Sequence, residues 1–437
     1  MKRILIAVSM AALVAGCAGD KKKHHTPVLG ERLPVLVYEA EAEPDPELAD
    51  ATIALPVAQT NGSWSQAGGN AAKSLGHVTL PKNLSRAWTV SIGKGASTRA
   101  GLESGPVVAD GKVFTIDTSA NVRAVDARSG KTVWDAQLSS GGEEKTAAFG
   151  GGVGYADGKI YATSGWGRVA AFDAANGKRL WSVSVGAPVR SAPSIAADRV
   201  VFVTQDNQLI ALSTSDGSTL WQQAATVEAS GLFGAAAPAI ALDTVVAGFS
   251  SGELLAARIE NSRVVWQETL APTGISTSVS SLSDIDASPV IDQGRVFAIG
   301  EGGRMVAVEL ATGQRVWEVN IAGLSTPWVA GDWIYVVTSD SRLLCLSRGT
   351  GKVRWASQLP AWRDKKKKTK PIRWAGPVLA SEGLFLVSNT GHMISASPYD
   401  GKIVSDTKLG GEASLPPVVA NNMLYVLTDD GKLSAWR

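Results

Sequence analysis

The stretch DARSGKTVWDAQL at residues 126–138 combines a Gly-Lys turn with a tryptophan, and it returns 47 residues later as DAANGKRLWSVSV at 173–185. Tryptophans follow one another at spacings of 46, 47, 40, 45, 51 and 38 residues along the chain, at Trp88, Trp134, Trp181, Trp221, Trp266, Trp317 and Trp355. A period in the forties indicates one supersecondary unit per repeat. The fold is therefore decided by how these units pack.

Each repeat is predicted to form four short strands. It opens with a small residue and a proline before an apolar run, as in SGPVV at 104–108 and SAPSI at 191–195. A turn such as DGK at 110–112 leads to a β-branched or aromatic strand, and the Gly-Lys turn precedes the tryptophan strand. Strands joined by hairpins in this way form a meander. Four-stranded meanders packed radially form a β-propeller, so we predict an all-β fold.

Glycines and other small residues recur at fixed positions in the repeat. Glycine adopts a left-handed backbone without steric cost, and we expect that conformation at Gly130, Gly177, Gly217, Gly313, Gly351 and Gly401. Six residues earlier stand Ala124, Ala171, Ala211, Ala307, Cys345 and Ser395. Stacked sheets lie about 10 Å apart, so we expect these small residues to make room for tryptophans of neighbouring sheets. Cys345 then serves packing, and it has no partner for a disulfide framework.

The number of blades follows from the two ends of the repeat array. Six complete units run through Trp355, and a seventh lies near residues 376–409 with Ser405 at the tryptophan position. The last 23 residues, 415–437, supply three further strands, and SRAWTVSI at 85–92 supplies one unattached strand. Together they complete an eighth blade and leave no free sheet edge. The alternative is a ring of seven blades.

The N-terminus has the layout of a secretory signal. Lys2 and Arg3 precede an apolar run at 4–14, and LVAGC at 13–17 ends in a cysteine. This order resembles the lipobox of bacterial lipoproteins, which implies a signal peptide at 1–16 and acylation of Cys17. An ordinary signal peptide with an incidental cysteine is the alternative. The residues after Cys17 are Ala and Gly rather than Asp, which favours sorting to the outer membrane.

Residues 17–62 are predicted to form a flexible tether before a propeller at 63–437. They contain the charge blocks DKKKHH at 20–25 and EAEAEPDPELAD at 39–50, with prolines and no strand alternation. Such a composition buries too little apolar surface to order itself. The adjacent histidines of the first block lack further metal-ligand spacing, so we expect them to be solvated.

Composition and charge limit the classes of partner. The chain is 45% hydrophobic and 19% charged, as in a folded soluble protein, and its formal net charge of +2 gives no field that attracts nucleic acid. The strongest local charge run is RDKKKKTKPIR at 363–373, in a loop between two repeats. A solvated loop is the simple interpretation. Attraction to anionic lipid or to an acidic partner is the functional hypothesis.

The turn sequences SGKTVW, NGKRLW, TGQRVW and TGKVRW resemble the repeat of quinoprotein-type propellers. With eight units and a lipobox, the chain resembles the BamB family of outer-membrane lipoproteins from residue 63 to residue 437. The resemblance implies a non-enzymatic scaffold of the β-barrel assembly machinery, lipid-anchored and facing the periplasm. Its implied partners are the periplasmic (POTRA) domains of BamA and other members of the complex, and its implied role is to aid the folding and insertion of outer-membrane proteins. Binding of unfolded outer-membrane proteins is a weaker expectation.

Two loops carry the candidate partner-binding residues that the resemblance implies. LSDIDASPV at 282–290 is similar to the Asp-x-Asp-x-x-Pro loop through which the family contacts BamA, so Asp284 and Asp286 are candidate contacts. SGLFGAAAPAI at 230–240 matches a neighbouring family loop and places Leu232 at an apolar contact position. Phe233 stands where family members have an arginine. The alternative for both aspartates is a turn that hydrogen-bonds its own backbone.

The rival class is an enzyme. Pyrroloquinoline-quinone dehydrogenases share the propeller and use calcium, a catalytic aspartate and commonly a disulfide between adjacent cysteines. This chain has no adjacent cysteines. Two of the four histidines, His24 and His25, lie in the predicted tether, and His77 and His392 have no partners nearby in sequence. We therefore expect no catalytic residues, no metal and no cofactor. A periplasmic propeller that binds a small ligand is the third interpretation.

Overall fold

The computed structural model describes residues 43–138, 149–227, 236–270 and 283–437, and in them it contains eight four-stranded antiparallel sheets. In seven sheets the strands pair in chain order, as in a meander. Inner strands of successive sheets contact one another, so the sheets are the blades of a β-propeller. The prediction of eight blades is confirmed, and the alternative of seven is wrong.

We number the strands in chain order and describe each blade from its innermost strand outwards, except that β1 (Arg86–Ser91) precedes the first blade. Blade 1 contains β2 (Val107–Ala109), β3 (Lys112–Ile116), β4 (Asn121–Asp126) and β5 (Thr132–Gln137). Blade 2 contains β6 (Gly151–Ala156), β7 (Lys159–Ser164), β8 (Arg168–Asp173) and β9 (Arg179–Ser184). Blade 3 contains β10 (Ser194–Ala196), β11 (Arg199–Val203), β12 (Gln208–Ser213) and β13 (Thr219–Ala224). Blade 4 contains β14 (Ala239–Ala241), β15 (Thr244–Gly248), β16 (Glu253–Arg258) and β17 (Val264–Thr269).

The second half of the ring repeats the pattern. Blade 5 contains β18 (Val290–Asp292), β19 (Arg295–Ile299), β20 (Met305–Glu309) and β21 (Arg315–Val319). Blade 6 contains β22 (Trp328–Ala330), β23 (Trp333–Val337), β24 (Arg342–Ser347) and β25 (Val353–Gln358). A separate hairpin of β26 (Trp362–Asp364) and β27 (Thr369–Pro371) precedes blade 7, which contains β28 (Trp374–Ala380), β29 (Gly383–Ser388), β30 (His392–Ala396) and β31 (Ile403–Lys408). Blade 8 contains β32 (Val418–Ala420), β33 (Met423–Leu427), β34 (Lys432–Trp436) and, as its outer strand, β1.

Blade 8 closes the ring with strands from both ends of the repeat array. Strand β1 pairs antiparallel with β34, and Trp88 lies opposite Ala435 in the register. This is the combination that the sequence predicts. Closure in this way pairs the outer edge of the last three strands.

Neighbouring blades are joined near the rim by a tryptophan and a turn. The Trp134 ring lies against Gly177 of the next blade, where a Cβ would stand 2.6 Å from the ring. The φ angle of Gly177 is +75°, so glycine is required by both space and backbone. The indole nitrogen of Trp134 donates to the backbone oxygen of Ala174 at 3.1 Å. We call such contacts rim junctions, and the other indole donors at these junctions are Trp88, Trp181, Trp221, Trp266, Trp317 and Trp355.

The structure confirms the left-handed backbone at all six predicted turn glycines but revises the role of the small strand residues. Ala124 lies opposite Trp134 in the register of its own blade. The residue that makes room for a neighbouring blade's tryptophan is the turn glycine. The sequence pattern located both partners of the rim junction but assigned the close contact to the wrong small residue.

Two places in the ring depart from the repeat. Ser262 of blade 4 has a φ of +59° at the position where other blades have glycine. At the boundary between blades 7 and 8, Ser405 is exposed at the tryptophan position. There the guanidinium of Arg86 stacks over the Trp436 ring at 4.7 Å and donates to the Leu409 oxygen at 2.8 Å. An arginine of β1 therefore links the last two blades.

The chain before blade 1 is attached to the ring from residue 45 onwards. A short 3-10 helix, Pro46–Leu48, lies beside blade 6, where the Asp45 amide donates to the Val353 oxygen at 2.8 Å. Lys352 forms ion pairs with Asp45 and Glu47. This differs from the predicted flexible tether at 17–62, because the backbone and carboxylates of its last third find partners on the propeller. Residues 17–42, with Cys17, lie outside the described part of the chain.

Residues 59–80, which we call the axial segment, cross the centre of the ring. Their hydrogen bonds and bridges reach the inner strand, or the turn that follows it, in every blade, at Val108, Tyr155, Ile195, Ile240, Ile291, Trp328, Ser381 and Val419. Trp64 and Val108 exchange two backbone hydrogen bonds of 2.8 Å. The segment thus occupies one end of the axial channel and ties its wall together.

Candidate partner interface and axial cavity

The direction of the inner strands defines two faces of the ring. Each inner strand begins where the chain arrives from the previous blade, so the described parts of the blade-to-blade connections lie on one face, which we call the crossover face. It carries residues 185–193, 320–327, 359–373 and 409–417 and the described parts of the connections after β13 and β17. The Gly-Lys turns lie on the opposite face, which we call the turn face.

Two of the four candidate partner-binding residues lie in the described part of the crossover face. Asp284 and Asp286 lie in the described stretch 283–289, which leads into β18 of blade 5. Leu232 and Phe233 belong to the connection between β13 and β14 but lie outside the described residues. The two predicted loops belong to successive connections in the sequence, of which residues 225–227, 236–238 and 283–289 are described.

The two aspartates are buried and face an arginine. Arg190 Nη2 lies 3.1 Å from Asp286 Oδ1 and 3.5 Å from Asp284 Oδ1. The side chains of Asp284 and Asp286 are 1% and 9% exposed, and that of Arg190 is 11% exposed. Arg190 precedes the inner strand of blade 3, so this contact crosses the start of blade 4. In the free protein the carboxylates therefore shape the loop instead of presenting their charge to solvent.

Glu103, which precedes the inner strand of blade 1, extends this group of charges toward the axis. Burial, together with the negative charge of Asp286, raises the pKa of Glu103 to about 7, although Arg190 opposes the shift. Burial also raises the pKa of Asp286 to about 7, and the nearby Asp284 adds to that shift against the attraction of Arg190. We call Arg190, Asp284, Asp286 and Glu103 the axial cluster. Near neutral pH the net charge of the axial cluster therefore depends on whether Glu103 and Asp286 are protonated.

An axial cavity of about 360 Å³ lies between the axial segment and the crossover face. Its walls include the stacked pair Trp64 and Trp328, whose ring centroids are 6.1 Å apart. Glu103, Asp286 and Arg373 also line it. The cavity thus combines an aromatic surface with groups of both charges.

Lys73 of the axial segment lines the same cavity and is buried. Its amino group donates to Ser194 Oγ at 2.9 Å. Burial lowers its pKa to about 7. An ammonium group can donate three hydrogen bonds, so an anionic or carbonyl group in the cavity would find donors here.

The remaining groups with catalytic potential occupy structural positions. Cys345 is fully buried, and burial raises the pKa of its thiol, which disfavours the nucleophilic thiolate. His77 lies between the Pro56 and Ser381 backbone oxygens, at 2.6 and 2.5 Å. His392 contacts Asp406 at 2.6 Å. Within the described ranges, three or more His, Cys, Asp or Glu side chains nowhere gather as they would around a metal ion.

Sequence reasoning missed Arg190, Glu103 and Lys73. Arg190 directly precedes the SAPSI motif, so a charged residue beside the start of an inner strand was an available signal. Lys73 lies in a stretch without repeat character, and nothing in its neighbours indicates burial. These residues acquire their roles only when distant blades meet at the axis.

None of the helices in the described part of the chain has the length and apolar character that a membrane span requires. The fold and its tryptophan-to-turn junctions define an eight-bladed propeller of the quinoprotein repeat type. A family model described as "Outer membrane protein assembly factor BamB" matches residues 79–148, 118–357 and 360–436. The chain belongs to this family.

Individual relatives agree with the family assignment. The BamB protein of Vibrio cholerae serotype O1 is 31% identical over 336 residues, which cover 77% of this chain and 74% of the relative. The crystal structure of BamB from Moraxella catarrhalis is similar with a TM-score of 0.68 at 18% identity, covering 81% of this chain and 100% of that chain. A quinohemoprotein alcohol dehydrogenase from Comamonas testosteroni gives a TM-score of 0.64 at 13% identity, covering 92% and 83%. At these identities the two structures show the fold alone.

Proposed function

We propose that the protein is a non-enzymatic scaffold in outer-membrane protein assembly. The observation that carries this proposal is the match of the family model along almost the whole propeller. Within that role, we place the contact with the periplasmic domains of BamA on the crossover face. Other members of the assembly complex would meet the same propeller, and assistance to folding and insertion of outer-membrane proteins would follow from orienting BamA.

From the burial of the axial cluster we infer different roles for the candidate contact residues. Leu232 and Phe233 would supply apolar contact area, since apolar and aromatic anchors dominate binding energy at protein interfaces. Asp284 and Asp286 would hold stretch 283–289 in a binding-competent shape through Arg190. They thus act as positioning residues, although the family loop assigns them to the contact itself.

The proposed location is the periplasmic side of the outer membrane, with acylated Cys17 as the anchor. About 26 residues separate Cys17 from the first described residue, a length that spans up to roughly 85 Å when extended. The propeller would therefore keep considerable freedom of orientation until BamA binds.

The interface is tested by affinity purification from solubilised native membranes. The full-length protein, tagged at its C-terminus, is compared with a Leu232→Ala/Phe233→Ala variant and an Asp284→Asn/Asp286→Asn variant. Leu180→Ala/Leu220→Ala is the matched control, because these leucines are exposed on outer strands. We expect the parent and the control to recover BamA. Both loop variants should recover at least tenfold less BamA, which corresponds to a loss of about 1.4 kcal/mol in binding free energy.

Recovery of BamA by none of the proteins would overturn the scaffold proposal. Equal recovery by all four would keep the scaffold but remove the interface from this face. Circular dichroism of each purified variant separates loss of binding from loss of fold.

A ligand-binding propeller is the second candidate, and the axial cavity with buried Lys73 is the observation that favours it. The cavity could equally suit a cofactor-dependent enzyme of the related dehydrogenase class. Native mass spectrometry of the purified protein tests both, since a retained small molecule would add a defined mass. A mass that matches the polypeptide and its lipid alone would argue against either role.

A further inference from the structure

The hairpin of β26 and β27 concentrates positive charge on a nearly neutral protein. Residues 363–373 contain seven basic residues and one acidic residue, whereas the whole chain carries a formal charge of +2. Lys365, Lys366, Lys367, Lys368 and Lys370 are all exposed. None of the ion pairs found in the described ranges involves them. We call residues 362–371 the basic hairpin.

The basic hairpin is a built structure fixed to the ring. Trp362 pairs with Pro371, and Asp364 pairs with Thr369. The Asp364 carboxylate accepts from the Lys366 and Lys367 amides at 3.2 and 3.1 Å, which turns the chain at the tip. The only carboxylate of the segment therefore shapes the turn. The four consecutive lysines remain together at the tip, where they repel one another.

The base of the hairpin is anchored in the propeller. The Ile372 side chain is 9% exposed, and its backbone oxygen accepts from Ser341 Oγ at 2.9 Å. The Trp374 indole donates to the Pro360 oxygen at 2.9 Å. Arg363 reaches Glu412 of the next connection at 2.8 Å. The base of the hairpin is thus fixed to the ring, while its lysines are exposed.

The hairpin lies in the same sector of the ring as the first described residues. It follows blade 6, the blade along which residues 45–51 run on the opposite face. The described chain thus begins in the same sector of the ring that carries the lysines, although on the other face. Each blade of an eight-bladed ring spans about 45°, so the hairpin lies about 90° to 135° from the connections proposed to bind BamA. Both surfaces could be engaged at once.

We propose that the basic hairpin binds the surface of an anionic phospholipid membrane. Lysine is depleted in protein interfaces, where arginine and aromatic residues are enriched, and none of the exposed large hydrophobic side chains of the described residues lies on this hairpin. The hairpin therefore lacks the large apolar side chains that anchor a protein interface. Its clustered lysines suit electrostatic attraction to many lipid phosphates at once. The hairpin would orient the propeller with the blade 6 sector toward the bilayer.

The proposal is tested by vesicle flotation with the full chain carrying Cys17→Ser, so that no acyl chain provides attachment. The vesicles contain phosphatidylcholine alone or phosphatidylcholine mixed with phosphatidylglycerol. The hairpin variant carries Lys365→Gln, Lys366→Gln, Lys367→Gln and Lys368→Gln. The control variant removes the same charge elsewhere, through Lys82→Gln, Lys131→Gln, Lys178→Gln and Lys402→Gln at exposed positions.

We expect the parent to float with phosphatidylglycerol vesicles and not with phosphatidylcholine alone, and to dissociate as salt is raised above about 0.15 M. Each basic residue near an anionic surface strengthens binding about fivefold, so the hairpin variant should lose at least tenfold in partitioning. The control variant should keep most of its binding.

Three results would overturn the proposal. The first is equal flotation of the parent with the two kinds of vesicle, the second is a hairpin variant that binds as well as the parent, and the third is a control variant that loses as much binding as the hairpin variant. If the hairpin variant keeps vesicle binding but loses BamA in the affinity purification, the hairpin serves a protein partner instead. Because the vesicles contain no other protein, failure of the scaffold proposal leaves this measurement unaffected.

Discussion

At the rim of the ring, Trp134 packs on Gly177 and donates to a backbone oxygen of the next blade, and equivalent indole bonds occur at seven junctions. Near the axis, Arg190 of one connection faces two buried carboxylates of another, in an arrangement that occurs at one place in the ring. The tryptophan junctions are uncharged and repeated because seven of the eight pairs of neighbouring blades pack in the same way, whereas blades 7 and 8 are linked by Arg86. The axial cluster is charged and unrepeated because it depends on which side chains each connection contributes. The rim junctions therefore hold the ring together, whereas the axial cluster distinguishes the crossover face from the turn face.

The largest effect is expected when a rim junction is removed. Trp134→Ala deletes a ring that is 8% exposed and its hydrogen bond to Ala174, so we expect a loss of about 3–5 kcal/mol in the free energy of unfolding. The matched control is Ser405→Ala, at the same repeat position but exposed, with an expected change below about 0.5 kcal/mol. Urea unfolding measures both changes in stability, provided that the dependence of the unfolding free energy on urea concentration is the same for each variant. Similar values for the two variants would contradict a structural role for the junction.

An intermediate effect, dependent on pH, is expected at the axial cluster. The folded-state pKa of Glu103 is raised to about 7, so this carboxyl stabilises the fold below its ordinary pKa range and loses that contribution as the pH rises through about 7. Glu103→Gln should therefore be more stable than the parent at pH 8, by about 1 kcal/mol after allowance for solvent screening of a half-buried group. Near pH 5 the advantage should shrink.

Chemical unfolding at several pH values provides this measurement. Glu382→Gln, at an exposed position of blade 7, is the control and should show no such dependence on pH. A constant difference between Glu103→Gln and the parent at all pH values would mean that the carboxyl does not titrate in the folded protein.

The smallest effect is expected where the rim departs from its own pattern. Ser262 has a φ of +59° at the turn position that is glycine in six other blades. Ser262→Gly removes the steric cost of a left-handed residue but adds unfolded-state entropy, so we expect a net gain of about 0.5–1 kcal/mol. Thermal unfolding detects it. The neighbouring Asn261→Gly should lower stability instead, and a gain in both variants would point to a different cause.

The repeat made the fold predictable, including the completion of blade 8 by β1. In each unit the small residue and the proline precede the apolar inner strand, so the same local pattern predicts the same strand many times along the chain. The attachment of residues 45–62 was not predictable in this way, because charged and proline-rich sequence normally indicates disorder. Asp45 and Glu47 are ordered by Lys352, which lies about 300 positions away in the chain.

The candidate site was predictable only in outline. The family loops directed attention to two successive connections, and the described stretch 283–289 of the second lies on the crossover face. The burial of Asp284 and the presence of Arg190 beside it depend on three blades meeting near the axis, which no local pattern encodes. The position of Leu232 and Phe233 in the proposed interface stays a prediction.

The path of the chain through the ring has a mechanical consequence. The ring is closed in blade 8, where hydrogen bonds between β1 and β34 join the two ends of the repeat array. Separation of these two strands would open the ring. Tension from an anchor at Cys17 would first load residues 45–51 on blade 6 and then the axial segment, whose bonds are distributed over all eight blades. Force on the proposed anchor would therefore reach the pairing of β1 with β34 only after the contacts of the axial segment.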